Sequence, residues 1–204
     1  MKVKICGITN IEDALLAEQL GADAIGFIFY EPSKRYVSPE TAKAIAQKLS
    51  AFILRVGVFV DESEEEINRI AAAVKLNIIQ LHGSEKPEMI SKIALPVIKS
   101  FRITGTFDFS ILKEYPSTTF LLDTFSQNEF GGTGKSFDWN VIPYSIRERV
   151  IIAGGVSEKN VEEIYRTIKS YAVDVSSSLE ESPGKKDHNK MKSFFQIINK
   201  LRSK

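Results

Sequence analysis

One cysteine (Cys6), one tryptophan and two histidines are all that 204 residues hold of those types. A single thiol excludes an internal disulfide framework and favours a reducing compartment, so a cytoplasmic protein is expected. Two separated histidines, His82 and His188, with one cysteine give no metal-binding cluster. An excess of one charge is also missing. Lys and Arg number 27 against 26 Asp and Glu, a formal net charge of +1, so no strong field draws the chain to nucleic acid or to a membrane surface. No uncharged apolar run approaches a membrane span. The N-terminal MKVKICGIT enters a strand pattern directly, with no apolar signal core. Linkers, low-complexity stretches and shifts of composition are lacking too. A hydrophobic content of 43% with 26% charged residues is ordinary for a globular chain, and one domain over residues 1–204 is expected.

Glycine clusters in FGGTGKSFDW, residues 130–139, whose Gly134-Lys135-Ser136 ends as a nucleotide-binding phosphate loop does. That motif needs a glycine five residues before Gly134, so that backbone N–H groups can wrap the phosphates. Glu129 stands there instead. A carboxylate repels phosphate and its Cβ hinders the wrap, so the motif fails at one anchor.

Short β-branched runs alternate with amphipathic ones. Strands are expected at 3–6, 24–29, 54–60, 78–81, 97–101, 119–123, 150–153 and 172–175. Helical patterns run over 10–20, 40–49, 62–74, 85–93, 158–168 and 189–201. Gly21 is placed to end the first, and Ser38-Pro39, Ser157 and Asp187 to begin others. The segments 107–114 and 140–147 are weak, the second because Pro143 sits inside it. Eight strand–helix alternations, with strands starting roughly 20 to 30 residues apart, predict a (β/α)8 barrel. A doubly wound open sheet is the competitor, but its first turn normally carries a glycine fingerprint that CysGlyIleThrAsn lacks.

Alternate strand residues point to opposite faces. Lys4, Arg55, Gln80, Lys99, Asp123 and Asp174 fall opposite an aliphatic face in their strands. Parallel strands covered on both sides are usually apolar throughout. The expectation is therefore a polar interior towards the C-terminal mouth, with Lys4, Arg55 and Lys99 balancing Asp123 and Asp174.

Barrel chemistry sits at the C-terminal strand ends. Here those ends offer Cys6, Arg35 in the loop after strand two, Asp61, His82, Arg102, Asp123, Gly154-Gly155 and Ser176-Ser177-Ser178. The last two groups follow strands seven and eight, the pair that recurrently binds phosphate with a short extra helix, here 177–180. They also suit tight turns. Cys6 is by default a small buried hydrophobe, but lies at a strand end, with Lys4 on the same face to favour a thiolate. Asp123 either caps a turn or needs a partner. Strands one and six stand three apart in a ring of eight, so a base and an acid there face each other across the mouth, as an isomerase requires. Arg35 is a solvated cation or a two-point carboxylate clamp. His82 reads as a structural hydrogen-bonding group, His188 as solvated, and Lys185-Lys186 as surface.

Lys4-Ile-Cys-Gly-Ile-Thr9, Ser33-Lys-Arg-Tyr36, Gln80-Leu-His-Gly83, Gly131-Gly-Thr-Gly-Lys135, Ala153-Gly-Gly155, Asp174-Val-Ser-Ser177 and Pro183-Gly-Lys-Lys-Asp187 occur in this order. Together they resemble the phosphoribosylanthranilate isomerase family. The resemblance implies a (β/α)8 barrel in tryptophan biosynthesis that performs an Amadori rearrangement without a cofactor or metal. The substrate is a phosphorylated sugar–anthranilate conjugate, and the enzyme a monomer or homodimer. It implies Cys6 as general base and Asp123 as general acid. Arg35, His82, Gly132, Gly154, Gly155, Asp174, Ser176, Ser177 and Ser178 would bind substrate, with Gly131–Lys135 as a cover over it. Where the family usually has glycine this chain has Ser178, which would be strained if the position needs positive φ. The rivals are a related isomerase of histidine biosynthesis, whose first strand usually ends in Asp, a phosphate-loop hydrolase, and a catalytically silent phosphate-binding barrel.

Overall fold

The computed structural model describes residues 1–116, 118–124 and 139–203. Eight parallel strands close into a barrel, because β1 (Lys2–Cys6) pairs with both β2 (Ala24–Ile28) and β8 (Ala172–Val175). Between them lie β3 (Leu54–Phe59), β4 (Ile78–Leu81), β5 (Val97–Arg102), β6 (Thr119–Asp123) and β7 (Val150–Ala153). Each expected strand is present, to within a residue at either end.

The helices start where their capping chemistry lies. Asn10 accepts from Asp13 N to open α1 (Ile11–Leu20), which ends at left-handed Gly21. Ser38 caps α2 (Pro39–Ala46) with Pro39 in its first turn, and Ser63 caps α3 (Glu64–Val74), whose first turn holds three glutamates that suit the helix dipole. Asp187 accepts from Asn189 N and Lys190 N to open α6 (His188–Arg202). Four helices are shorter than expected by two residues or more: α2 ends at Ala46 and α3 begins at Glu64, after its Ser63 cap, and two others lose more. α4 is a single turn, Pro87–Ile90, because the residue before proline resists helical geometry. α5 (Val161–Ile168) begins after Asn160, not after Ser157, since Asn160 turns its side chain back to accept from Ser157 N. The weak segments are 3-10 turns, Phe109–Glu114, Trp139–Val141 and Tyr144–Arg149. Among the described residues, no helix is long and apolar enough to cross a membrane.

The lumen is plugged at its N-terminal end by Ala24, Val56, Ile98, Leu121, Ile151 and Ala172. Outside it, Val3, Ile5, Phe27, Phe59, Ile79, Leu122 and Val173 join the helices in the larger core. This layering corrects the expectation for two charges. β3 turns its valines inward, so Arg55 points out and bonds Asn77 Oδ1 through Nε at 3.0 Å. β5 turns Ile98 inward, which puts Lys99 on the outer side with Val97. There Lys99 is buried at 2.7 Å from Glu85 Oε2, with side chains 3% and 2% exposed. Polarity marked the inner face correctly for β1, β4, β6 and β8. It failed on β5, where a buried ion pair outside the lumen carries as much polarity as a lumen does, and on β3, where the half-buried Arg55 is satisfied by the Asn77 side chain on the outer face. The interior charges of the first, sixth and eighth strands are Lys4, Asp123 and Asp174.

Candidate active site

Above the apolar plug, the C-terminal strand ends enclose a cavity of about 690 Å3, within the range of small-molecule sites. Cys6, Arg35, His82, Asp123, Gly154, Gly155, Asp174, Ser176, Ser177 and Ser178 all line it. Every residue that the resemblance implies for the site and that can be placed is therefore in one cavity; the strand-end candidate Asp61 is not among its lining residues, and its carboxylate accepts from Ser84 N. Gly132 and the rest of Gly131–Lys135 lie outside the described residues. Gln80 and Arg102 line the cavity too.

Cys6 is the last residue of β1 and only 6% exposed. Lys4, two residues earlier on the same face, is buried and reaches Asp174 Oδ1 on neighbouring β8 at 2.9 Å. A negative charge on Cys6 would also favour the Lys4 ammonium. The space for this meeting is left by Gly26, where an added Cβ would lie 2.8 Å from Cys6 Sγ and 3.1 Å from Lys4 Nζ. Burial pushes the Cys6 thiol above its ordinary range; Asp174 adds to this, while Lys4 and Lys186 pull it back without cancelling it. Burial works against charge on Lys4, but Asp174 and Cys6 outweigh it and hold the ammonium protonated. The cation thus sits where a thiolate on Cys6 would form.

Across the mouth, Asp123 ends β6. His82 Nε2 lies 3.7 Å from Asp123 Oδ2, and its Nδ1 is 3.0 Å from Gln80 Nε2. With the Gln80 amide donating, Nδ1 is the acceptor and the neutral ring carries its proton on Nε2, towards Asp123. Burial lowers the His82 pKa, and the opposing charge of Asp123 does not restore it, so the ring is neutral at pH 7. The expected hydrogen-bonding role of His82 is seen. His188 is half exposed but not simply solvated, since Nε2 is 2.9 Å from the buried carboxylate of Asp13.

The ends of β7 and β8 form the small-residue side. Gly154 and Gly155 have φ of +83° and +70°, a backbone that side chains rarely adopt. Ser177–Leu179 is one 3-10 turn, shorter than the helix expected there. Ser178 is not among the residues with positive φ, so the serine carries no such strain, and its hydroxyl donates to Val156 O. Ser176 Oγ donates to Cys6 O at 3.1 Å. Among the described residues, no acceptor takes the N–H groups of Gly155, Ser177 or Ser178, which leaves three donors suited to an anion.

Arg35 is engaged on one edge. Its Nε and Nη2 each lie 2.7 Å from a carboxylate oxygen of Glu180. Glu180 opens β9 (Glu180–Ser182), which forms a hairpin with β10 (Lys185–Lys186). Lys186 is fully buried, contrary to its reading as surface, whereas Lys185 is exposed. Lys186 Nζ donates to Cys6 O at 2.7 Å, Ser176 O at 3.2 Å and Glu180 Oε1 at 3.1 Å. Sequence reasoning missed Glu180 and the inward turn of Lys186. The one available signal was Pro183-Gly184 between them, which marks a hairpin that sets them opposite each other.

A family model described as N-(5'phosphoribosyl)anthranilate (PRA) isomerase matches residues 3–197. The N-(5'-phosphoribosyl)anthranilate isomerase of Thermotoga maritima is 47% identical over 200 residues, covering 96% of this chain and 97% of its own length. A solved phosphoribosyl anthranilate isomerase in complex with reduced 1-(o-carboxyphenylamino)-1-deoxyribulose 5-phosphate superposes with a TM-score of 0.88 at 42% identity, covering 98% of this chain and 100% of that one. Monomers generated from the dimeric phosphoribosylantranilate isomerase of Thermotoga maritima give a TM-score of 0.87 at 41% identity, with coverage of 98% and 100%.

Proposed function

The chain belongs to the N-(5'-phosphoribosyl)anthranilate isomerase family, and from that premise we propose that Cys6 and Asp123 carry the two proton transfers of its reaction. The protein is an isomerase of tryptophan biosynthesis. It converts N-(5'-phosphoribosyl)anthranilate to 1-(2-carboxyphenylamino)-1-deoxyribulose 5-phosphate. The histidine-pathway, phosphate-loop and silent-barrel readings give way to this family assignment.

The observation that carries the proposal is the placing of a thiol and a carboxyl in one cavity, on strands three apart in the ring, beside a small-residue anion cradle. Asp123, as the general acid, delivers a proton to the furanose ring oxygen as the C1′–O4′ bond breaks, leaving an iminium at C1′. The Cys6 thiolate then removes the C2′ proton, and the electron pair neutralises the iminium to give an enolamine. Return of a proton to C1′ and loss of one from the enol oxygen give the ketone. Hydrogen moves only within the substrate and these two groups, so the step is redox-neutral and needs no cofactor. The phosphate lies at Gly154, Gly155 and Ser176–Ser178, where backbone donors and a hydroxyl meet it. Arg35 holds the anthranilate carboxylate, with His82, Asp174 and Gly132 as the further substrate contacts.

The opposite mouth favours a homodimer over a monomer. Phe52 is 97% exposed, beside a second cavity of about 320 Å3 lined by Leu54, Val56, Ile78 and Ile98. A knob and a socket on one face meet the demand of a two-fold interface. The lone free cysteine supports a cytoplasmic setting. Turnover is tested directly by following the fluorescence of the anthranilate–ribose conjugate. Its steady loss on adding this protein supports the reading, and unchanged emission refutes it.

A further inference from the structure

We infer that Glu180 is a positioning residue for the substrate's aromatic carboxylate, acting through Arg35; this rests on the isomerase reading above. A guanidinium carries five N–H donors in a rigid fork. Glu180 takes the Nε/Nη2 edge by two bonds of 2.7 Å. Among the described residues no other acceptor reaches the guanidinium, so three N–H groups remain, on the Nη1/Nη2 end. That end matches a second carboxylate, which can bind two-point in the same plane. Arg35 lines the cavity, so the end edge has a substrate to meet.

Three features show that the arginine is held and not merely near. Its stem crosses Gly7 so closely that a Cβ there would sit 2.8 Å from Arg35 Cδ, and Gly7 has a φ of +73°. Gly7 follows Cys6, so the clamp keeps register with the proposed base. Glu180, 7% exposed, is itself fixed by Lys186, its partner in the hairpin register, which donates to the same Oε1 that Arg35 Nε bonds. Lys186 in turn binds the carbonyl of Cys6. A continuous chain of contacts therefore runs from the Cys6 backbone through Lys186 and Glu180 to Arg35. Its charges sum to one positive, from two cations and one anion, which a substrate carboxylate neutralises. Without Glu180 a long side chain would have to be ordered at each binding event. The arrangement selects an aryl amine that carries an ortho carboxylate over one that does not.

The test measures kcat and KM on N-(5'-phosphoribosyl)anthranilate and on N-(5'-phosphoribosyl)aniline, which lacks the carboxylate, with product formation followed by chromatography. The proteins are the wild type, Glu180→Gln, Glu180→Asp, Arg35→Ala and the Arg35→Ala/Glu180→Gln double variant. Glu180→Gln should raise KM for the anthranilate conjugate by roughly tenfold, the value of one charge-assisted hydrogen bond's positioning, with kcat changed much less. Its kcat/KM for the aniline conjugate should stay within about twofold of wild type. In the Arg35→Ala background the same change should add little. Glu180→Asp keeps a negative charge beside Lys186 and so preserves the fold. It should show the same carboxylate-selective pattern, more weakly, and it carries the test if the glutamine variant does not fold. Equal losses on both substrates, additive losses in the double variant, or a lowered KM for the anthranilate conjugate would overturn the inference while wild-type turnover left the isomerase reading intact. No wild-type turnover would sink that reading, and the role of Glu180 with it.

Discussion

Replacing Lys4 with methionine should separate the chemistry of the thiol from the stability of the barrel. Lys4 is buried, 2.9 Å from Asp174, and its charge favours a thiolate on Cys6. Methionine fills similar volume but removes the charge. Two consequences follow. Asp174, with its side chain 9% exposed, is left as a carboxylate without its cation; breaking one side of such a pair costs about 3–5 kcal/mol. The Cys6 thiolate also loses the cation that favours it, an effect worth one to a few kcal/mol. The thiol is already pushed up by burial, so removing Lys4 moves it further in the same direction. A base works only when deprotonated, so activity rises with pH through the thiol's titration. In the variant that rise should move to higher pH, with kcat at pH 7 lower by about 10- to 100-fold. The assay is a pH profile of fluorescence loss, with thermal unfolding on the same samples. Adding Asp174→Asn removes the stranded carboxylate and should return most of the lost stability; because Asp174 itself pushes the thiol up, it should also move the profile part of the way back, but not to wild type. A Lys4→Met protein whose pH profile matched wild type would refute the role given to this cation.

Other substitutions probe the remaining sides of the site. Arg35→Ala should raise KM by about 10-fold or more while altering kcat much less, since it removes a two-point carboxylate contact; an unchanged KM counts against the clamp. Ser177→Asp places a negative charge at the proposed phosphate cradle. It should raise KM by at least about tenfold, an effect that weakens in high salt. Phe52→Asp puts a charge on the face assigned to the homodimer and should shift the protein to monomers in sedimentation, with the barrel still folded. Undisturbed dimers would place the interface elsewhere.

The barrel was legible because each strand is short, β-branched and closed by turn chemistry, and because eight of them recur in order. Which face is inner was legible only in part. On β1, β4, β6 and β8 the lumen carries the polar groups, whereas β3 fills it with Val56 and Val58. Alternation of a polar and an aliphatic face predicts an inward Lys99. Glu85, 14 residues away, neutralises it outside the lumen instead, and nothing in local periodicity announces that partner. Helix bounds were read too long wherever a proline or an Asx turn took over, as at Pro87 and Asn160. Of the site, the strand-end residues were legible one by one from alternation and topology. The Glu180–Lys186 pair was not, because the pairing of a two-residue strand depends on a hairpin too short to leave a pattern.

The most direct measurement is the turnover of Cys6→Ala and Asp123→Asn beside wild type, each followed through the emission of the anthranilate–ribose conjugate at saturating substrate. Loss of an acid or a base that acts in the transition state should lower kcat by about 100- to 10,000-fold in each variant, with KM changed much less. Turnover close to wild type in either one would contradict the assignment of the two proton transfers to this thiol and this carboxyl.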